Sequence, residues 1–139
     1  MGIAHWRMLV RNETVSYGDN AKQIWKALIE ENRVDEHQLQ LKTQMNVKDV
    51  HTAIGWLARE NKIRKDDNRY LLSSETNLTE EVGSLAGRIW KILDIWNEAD
   101  VFTIKKLADA EDKQIYTALG WLAREGKIEV DEKNTYRLK

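Results

Sequence analysis

The stretch Gly120–Ile128 reads GWLAREGKI, and Gly55–Ile63 reads GWLARENKI. The two phrases lie 65 residues apart, and the same offset carries much more of the chain onto itself. It places Ile24-Trp25-Lys26 on Ile89-Trp90-Lys91, Gly18 on Gly83, Leu28 on Leu93 and Asn32 on Asn97. It also places Asp35 on Asp100 and Thr52-Ala53 on Thr117-Ala118. Near the end the register slips by one, because Tyr70 matches Tyr136, so one turn is a residue longer in the second copy. Self-similarity at a fixed offset marks a repeated structural unit. The chain reads as two tandem copies of one small fold.

Each copy parses in the same way. Ala21, Ile24 and Leu28, and likewise Ala86, Ile89 and Leu93, have helical spacing within Ala21–Glu31 and Ala86–Trp96. An extended piece is expected at Val101-Phe102-Thr103, then a short helix over Ile104–Ala108 with Thr103 as its N-cap. Asn46 and Asp112 read as N-caps of a third helix reaching Glu60 and Glu125. Asn61 and Gly126 follow, two residue types that accept the left-handed conformation at a helix C-terminus. KIRKDDNRYLL and KIEVDEKNTYRLK each read as two short strands around an Asp/Asn turn. Helix, strand, helix, helix, strand, strand is the order of a winged helix-turn-helix. The fold class expected is therefore mainly α with small β wings, in two tandem domains. Residues 17–72 and 82–139 form the domains, 73–81 a polar, acidic linker, and 1–16 an N-terminal extension. Trp6, Met8 and Val10 alternate within that extension and suggest a strand packed on copy one.

Composition narrows the classes of function. The chain of 139 residues holds no cysteine, which removes disulfide frameworks, zinc ribbons and thiol chemistry. No apolar run has the length of about 20 residues that spans a bilayer. The first ten residues lack the apolar stretch of a secretory leader, and the Met-Gly start lacks the Ser or Thr of a myristoylation signal, so a cytoplasmic location is expected. The net charge of −1 is not that of a strongly basic, sequence-indifferent nucleic-acid binder. A role on nucleic acid would rest on a local patch.

The third helix carries the sharpest signal. At about 100° per residue, Val50, Ile54 and Leu57 fall on one side, as do Ile115, Leu119 and Leu122. The opposite stripe is Lys48, Thr52, Gly55 and Arg59 in copy one, and Lys113, Thr117, Gly120 and Arg124 in copy two. The core stripe has drifted among Val, Ile and Leu, whereas the outward stripe is identical. A mid-helix glycine is unfavourable by about 0.5–1 kcal/mol relative to alanine. Having one twice on the outer stripe suggests that something approaches the backbone there: DNA, a partner helix or the other copy. With that stripe outward, a bulky substitution at Gly55 or Gly120 is expected to leave folding intact. Trp56 and Trp121 border the stripe, either covering the edge of the core or serving as interface anchors. Trp25 and Trp90, on the first helices, read as core.

The pattern AxxIWxxL followed by [IV][HY]TA[IL]GWLARE[NG]KI resembles an uncharacterised family of small prokaryotic winged helix-turn-helix domains. The resemblance spans Gly18–Leu72 and Gly83–Leu138. It implies a winged-helix fold and a DNA-binding role, without a defined ligand or target.

Two functions of different kinds follow. In the first, the chain binds double-stranded DNA as a transcriptional regulator, with the third helix in the major groove and the wing on the flanking backbone. The residues for that role are Lys48, His51, Thr52 and Arg59, then Lys113, Tyr116, Thr117 and Arg124, with Lys62, Arg64, Lys65, Arg69 and Lys127 from the wings. Copy one, from Asn20 to Leu72, holds ten basic and eight acidic residues, while copy two, from Ala86 to Lys139, balances ten against ten. Copy one would therefore dominate. In the second, the chain is a protein-interaction or self-association module whose packing surface is Gly55, Trp56, Gly120 and Trp121. An enzyme is not expected. His5, His37 and His51 lack metal-ligand spacing, no Ser/His/Asp set stands out, and no glycine-rich phosphate loop occurs. No cofactor, metal or small-molecule ligand is evident in the sequence. His37 aligns with Phe102 and suggests an apolar position, and His51 aligns with Tyr116 on an exposed flank.

Overall fold

The computed structural model describes residues 13–139. The strand expected around Trp6, Met8 and Val10 lies outside the described residues. Copy one contains α1 (Thr14–Glu30), β1 (Val34–Asp35), α2 (Glu36–Thr43), α3 (Val47–Arg59), β2 (Ile63–Asp66) and β3 (Arg69–Leu72). Copy two repeats the order with α4 (Thr79–Trp96), β4 (Glu98–Asp100), α5 (Val101–Ala108), α6 (Asp112–Arg124), β5 (Ile128–Val130) and β6 (Thr135–Leu138). Each copy has one antiparallel three-stranded sheet, in the orders β1-β3-β2 and β4-β6-β5. Val34 pairs with Tyr70, and Ala99 pairs with Tyr136.

The punctuation of each copy is local chemistry. Asn46 accepts the Asp49 amide at 2.8 Å and opens α3. The helix stops because Asn61 turns left-handed at φ 58°, as Gly126 does at φ 71° after α6. Each wing reverses through a left-handed residue of its own, Asp67 or Asn134. Several boundaries differ from the sequence reading. Residues 101–103 are helical, since Asp100 and not Thr103 caps α5, its carboxylate accepting the Thr103 amide at 2.8 Å. The strand is Glu98–Asp100, three residues earlier. Glu111 rather than Asp112 precedes α6, and its amide donates to Gln114 Oε1 at 2.9 Å. The first helix of each copy also begins earlier than periodicity suggested, at Thr14 and Thr79, so residues 79–81 are helix.

Ile24, Leu28, Leu39, Val50, Ile54 and Leu57 fill the first core, and Ile89, Leu93, Ile104, Ile115, Leu119 and Leu122 the second, all essentially inaccessible to solvent. Trp25 and Trp90 do not join them. They remain 40% and 38% exposed, because Ile24 and Ile89 take the inward positions beside them. His37 and Phe102 are exposed as well, so that aligned pair does not mark an apolar interior site.

The two copies pack closely. The Glu13 amide donates to the Val130 carbonyl at 2.9 Å, joining the start of α1 to β5 of the other copy. At the corresponding edge of β2, Asn77 accepts the Lys65 amide at 2.9 Å and donates to the Lys65 carbonyl at 2.7 Å. Each wing edge is thus covered by the segment leading into the other copy's first helix, which removes an open strand edge.

Candidate functional site

The third helices, α3 and α6, lie against each other at the centre of the molecule. Their approach is set by the two glycines. A Cβ added at Gly55 would stand 1.8 Å from the Thr117 carbonyl oxygen, and one at Gly120 would stand 1.9 Å from the Thr52 carbonyl oxygen. Only a residue without a side chain lets two backbones come this close. The contact is reciprocal: Gly55 meets Thr117, and Gly120 meets Thr52. This is an isologous pairing, of the kind that builds two-fold dimers, within one chain.

The stripe read from the sequence as outward therefore faces the other copy. Thr52 is fully buried, Thr117 is 9% exposed, and Gly55 and Gly120 are buried. His51 corrects the expected exposed flank: it is 6% exposed, with Nε2 3.1 Å from Glu36 Oε1 and Nδ1 3.3 Å from Thr117 Oγ1. Burial pushes the His51 pKa below its ordinary value, outweighing the opposite pull of Glu36. Burial alone would raise Glu36. Hydrogen bonds from Lys113 and His51 prevail and hold its carboxyl below the usual range.

The charged ends of the stripe are engaged across the same seam. Arg59 Nε donates to Glu125 Oε2 at 3.1 Å, and Arg124 Nε donates to Glu60 Oε2 at 2.9 Å. The guanidinium of Arg59 lies 5.6 Å from the Trp121 ring centre, and that of Arg124 lies 5.9 Å from the Trp56 ring centre. Lys113 Nζ donates to Glu36 Oε2 at 2.8 Å, and Lys48 Nζ donates to Asn134 Oδ1 at 2.8 Å, both reaching the other copy. Burial lowers the pKa of Lys48. Tyr116 is half-buried. Trp56 and Trp121 rest on glycines of the first helices. The Trp56 ring would touch a Cβ at Gly18 at 3.0 Å, and the Trp121 ring one at Gly83 at 3.6 Å. The approach is tight at Gly18, whereas at Gly83 a methyl would stand at ordinary contact distance.

Arg64, Lys65 and Arg69 lie apart from the α3–α6 contact, whereas Lys62 and Lys127 adjoin the carboxylates of its seam. Lys62 is near Glu60 at 3.4 Å, Arg64 pairs with Asp66 at 3.3 Å, and Lys65 Nζ lies over the Tyr70 ring at 5.5 Å. Arg69 is exposed. Lys127 lies 3.5 Å from Glu125. The sequence reading missed Glu60 and Glu125 as partners. Their signal was present, because an Arg followed by a Glu at the end of both third helices is self-complementary across a two-fold pairing.

A model of a winged helix-turn-helix domain family (DUF2582) matches the chain twice, over residues 6–74 and 77–138. The chain belongs to this winged helix-turn-helix family. Comparison with curated proteins and with solved structures gives no match. Winged helices in general bind nucleic acid or serve in regulation, and the fold alone does not say which. In this tandem winged helix, the surface that such a fold offers to a major groove is the surface joining its two domains. No helix among the described residues is long and apolar enough to cross a membrane.

Proposed function

We propose that this tandem winged helix is a non-enzymatic, cytoplasmic protein whose third-helix faces serve for assembly of its own two domains and not for reading DNA. The observation that carries the reading is the reciprocal contact of Gly55 with Thr117 and of Gly120 with Thr52. A helix whose backbone is in contact with another helix cannot also lie in a major groove about 12 Å wide and read base edges. The near-neutral charge agrees, since phosphate neutralisation supplies most non-specific DNA affinity.

One observation favours the second reading, duplex DNA binding by a transcriptional regulator. Arg64, Lys65 and Arg69 lie on the first wing, outside the α3–α6 contact, and could lie along a phosphate backbone without opening the molecule. A titration of duplex DNA into the full chain at low and moderate salt separates the two. The assembly reading expects no binding at low salt. Affinity that falls with salt and is lost in Arg64→Ala/Lys65→Ala/Arg69→Ala would establish the wing as a DNA contact instead.

A further inference from the structure

The approximate two-fold relation between the copies is broken where each first helix meets the other copy's wing. On one side of the molecule, Tyr17 of α1 reaches the second wing, and its hydroxyl is hydrogen-bonded to the hydroxyl of Tyr136. The related position on the other side is Val82 of α4, facing Tyr70 of the first wing. Valine is too short to fill the space. A cleft of about 610 Å³ opens there, floored by Ile54, Leu78, Val82 and Leu85 and bordered by the Tyr70 side chain. That volume lies within the range of about 300–1,000 Å³ typical of small-molecule sites.

The lining differs from that of the counterpart, a smaller opening of about 340 Å³ beside Tyr17, Lys48, Asp49 and Asn134. Glu36, His51 and Lys65 line the cleft, whereas the aligned residues of the other copy are Val101, Tyr116 and Val130. Glu36 is committed to His51 and Lys113. Lys65, on the wing, and Glu81, on α4, bring opposite charges to the walls. Both Glu36 and Glu81 act on the Tyr70 hydroxyl, which burial keeps protonated, with a pKa raised to about 12, so that it can serve as a hydrogen-bond donor. Of the other charged residues around it, Asp35 accepts the Gln38 amide, Arg88 donates to the Ala108 carbonyl at 3.0 Å and Lys113 is committed to Glu36, which leaves Lys65, Glu81 and Asp109 to meet a ligand; groups of both signs above an apolar floor match a ligand carrying an apolar body and both charges.

We propose that this cleft binds a small zwitterion with an apolar body, of which an α-amino acid with an aromatic or aliphatic side chain is the simplest example. Lys65 receives the carboxylate, Glu81 the ammonium, and Ile54, Val82 and Leu85 the side chain. Because α4 of one copy and the wing of the other form the two walls, the occupant bridges the domains.

The test is an amide-resolved NMR titration of the full chain with L-phenylalanine, beside hydrocinnamate, which lacks the ammonium, and phenethylamine, which lacks the carboxylate. Phenylalanine should give saturable shifts centred on Lys65, Tyr70 and Val82, and each single-charge analogue should bind at least about tenfold more weakly, a loss of about 1.4 kcal/mol. Val82→Tyr, which copies the closure seen at Tyr17, should abolish the shifts. If that variant does not fold, Lys65→Ala and Glu81→Ala serve in its place, each weakening phenylalanine about tenfold. Absence of saturable shifts at about 10 mM phenylalanine overturns the proposal. Equal binding of either analogue overturns the zwitterion assignment, and unchanged binding by a folded Val82→Tyr overturns the site.

Discussion

Replacing Gly55 by alanine tests the central contact most directly. The new methyl would lie 1.8 Å from the Thr117 carbonyl oxygen, 2.8 Å from the carbonyl carbon and 2.9 Å from the Trp121 amide nitrogen. Ordinary contact begins at 3.4 Å, so the shortfall at the oxygen is about 1.6 Å. All three atoms belong to the backbone, so no side chain can rotate away. The helices must separate, and a gap of only 0.5–1 Å already forfeits roughly a quarter to a half of each dispersion contact along the seam. Overpacking of a core generally costs about 1–3 kcal/mol, and a rigid backbone neighbour places this site at or above the top of that range. The gain in helix propensity returns only about 0.5–1 kcal/mol. The expected net loss is about 2–4 kcal/mol, or a fall of roughly 10 °C in Tm for a chain of this size.

Gly87 is the internal control. It too is a helical glycine, in α4, but a Cβ there would meet nothing within 4 Å. Gly87→Ala should therefore stabilise by about 0.5–1 kcal/mol. Gly120→Ala should behave as Gly55→Ala does, and the double variant should fall short of additivity because the same gap opens only once. Urea and thermal unfolding of the four variants read all of these values. A Gly55→Ala protein as stable as the Gly87→Ala protein would mean that the third helices do not touch in solution.

Two further predictions concern the core and the buried histidine. Leu122→Ala removes a side chain that is 1% exposed at the centre of the second core, and should lower the unfolding free energy by about 2–5 kcal/mol, with an unchanged urea midpoint ruling out that packing. His51 is kept neutral by burial, so the unfolded chain takes up its proton first; the stability this provides is complete above the unfolded pKa of about 6.5 and declines as pH falls through it. Glu36, held below its ordinary pKa, adds a contribution of the same sign, present above about 4.3 and lost at lower pH. Urea midpoints should therefore fall between about pH 7.5 and pH 5.5, and His51→Gln should flatten that interval while leaving the acid-side loss from Glu36.

The fold was legible because its determinants are local. Asn46 at a helix start, Asn61 and Gly126 at helix ends, and Asp67 and Asn134 in the wing turns each act within a few residues, so a single strand of sequence carries them. Boundaries slipped where two caps competed: Asp100 rather than Thr103 took the start of α5, and that choice turned an expected strand into helix. Trp25 and Trp90 misled because helical spacing cannot separate a residue facing the core from its neighbour at the edge, and both stand beside a fully buried isoleucine. The cleft had one sequence signal, the pairing of Tyr17 with Val82 at the 65-residue offset, but its meaning depends on Tyr70 and Tyr136, which lie in the opposite copies.

The third-helix face shows most clearly what one sequence can and cannot say. A glycine on an exposed stripe implies a close neighbour, and that inference follows from the side chain alone. The occupant is a tertiary fact. Once it is the other copy, the identity of Thr52-Gly55-Arg59 with Thr117-Gly120-Arg124 acquires a physical reason beside shared origin. In a two-fold contact each residue of one helix meets a different residue of its mate, and the mate returns the same contact. Gly55 must fit Thr117 while Thr52 fits Gly120, and Arg59 must reach Glu125 while Arg124 reaches Glu60. A change in one copy therefore leaves a mismatched partner in the other. The inward stripes carry no such constraint, because each packs only within its own core, where Val50 and Ile115, or Ile54 and Leu119, can exchange volume with their neighbours. The drifting stripe is the one that packs alone, and the invariant stripe is the one that packs against its own image.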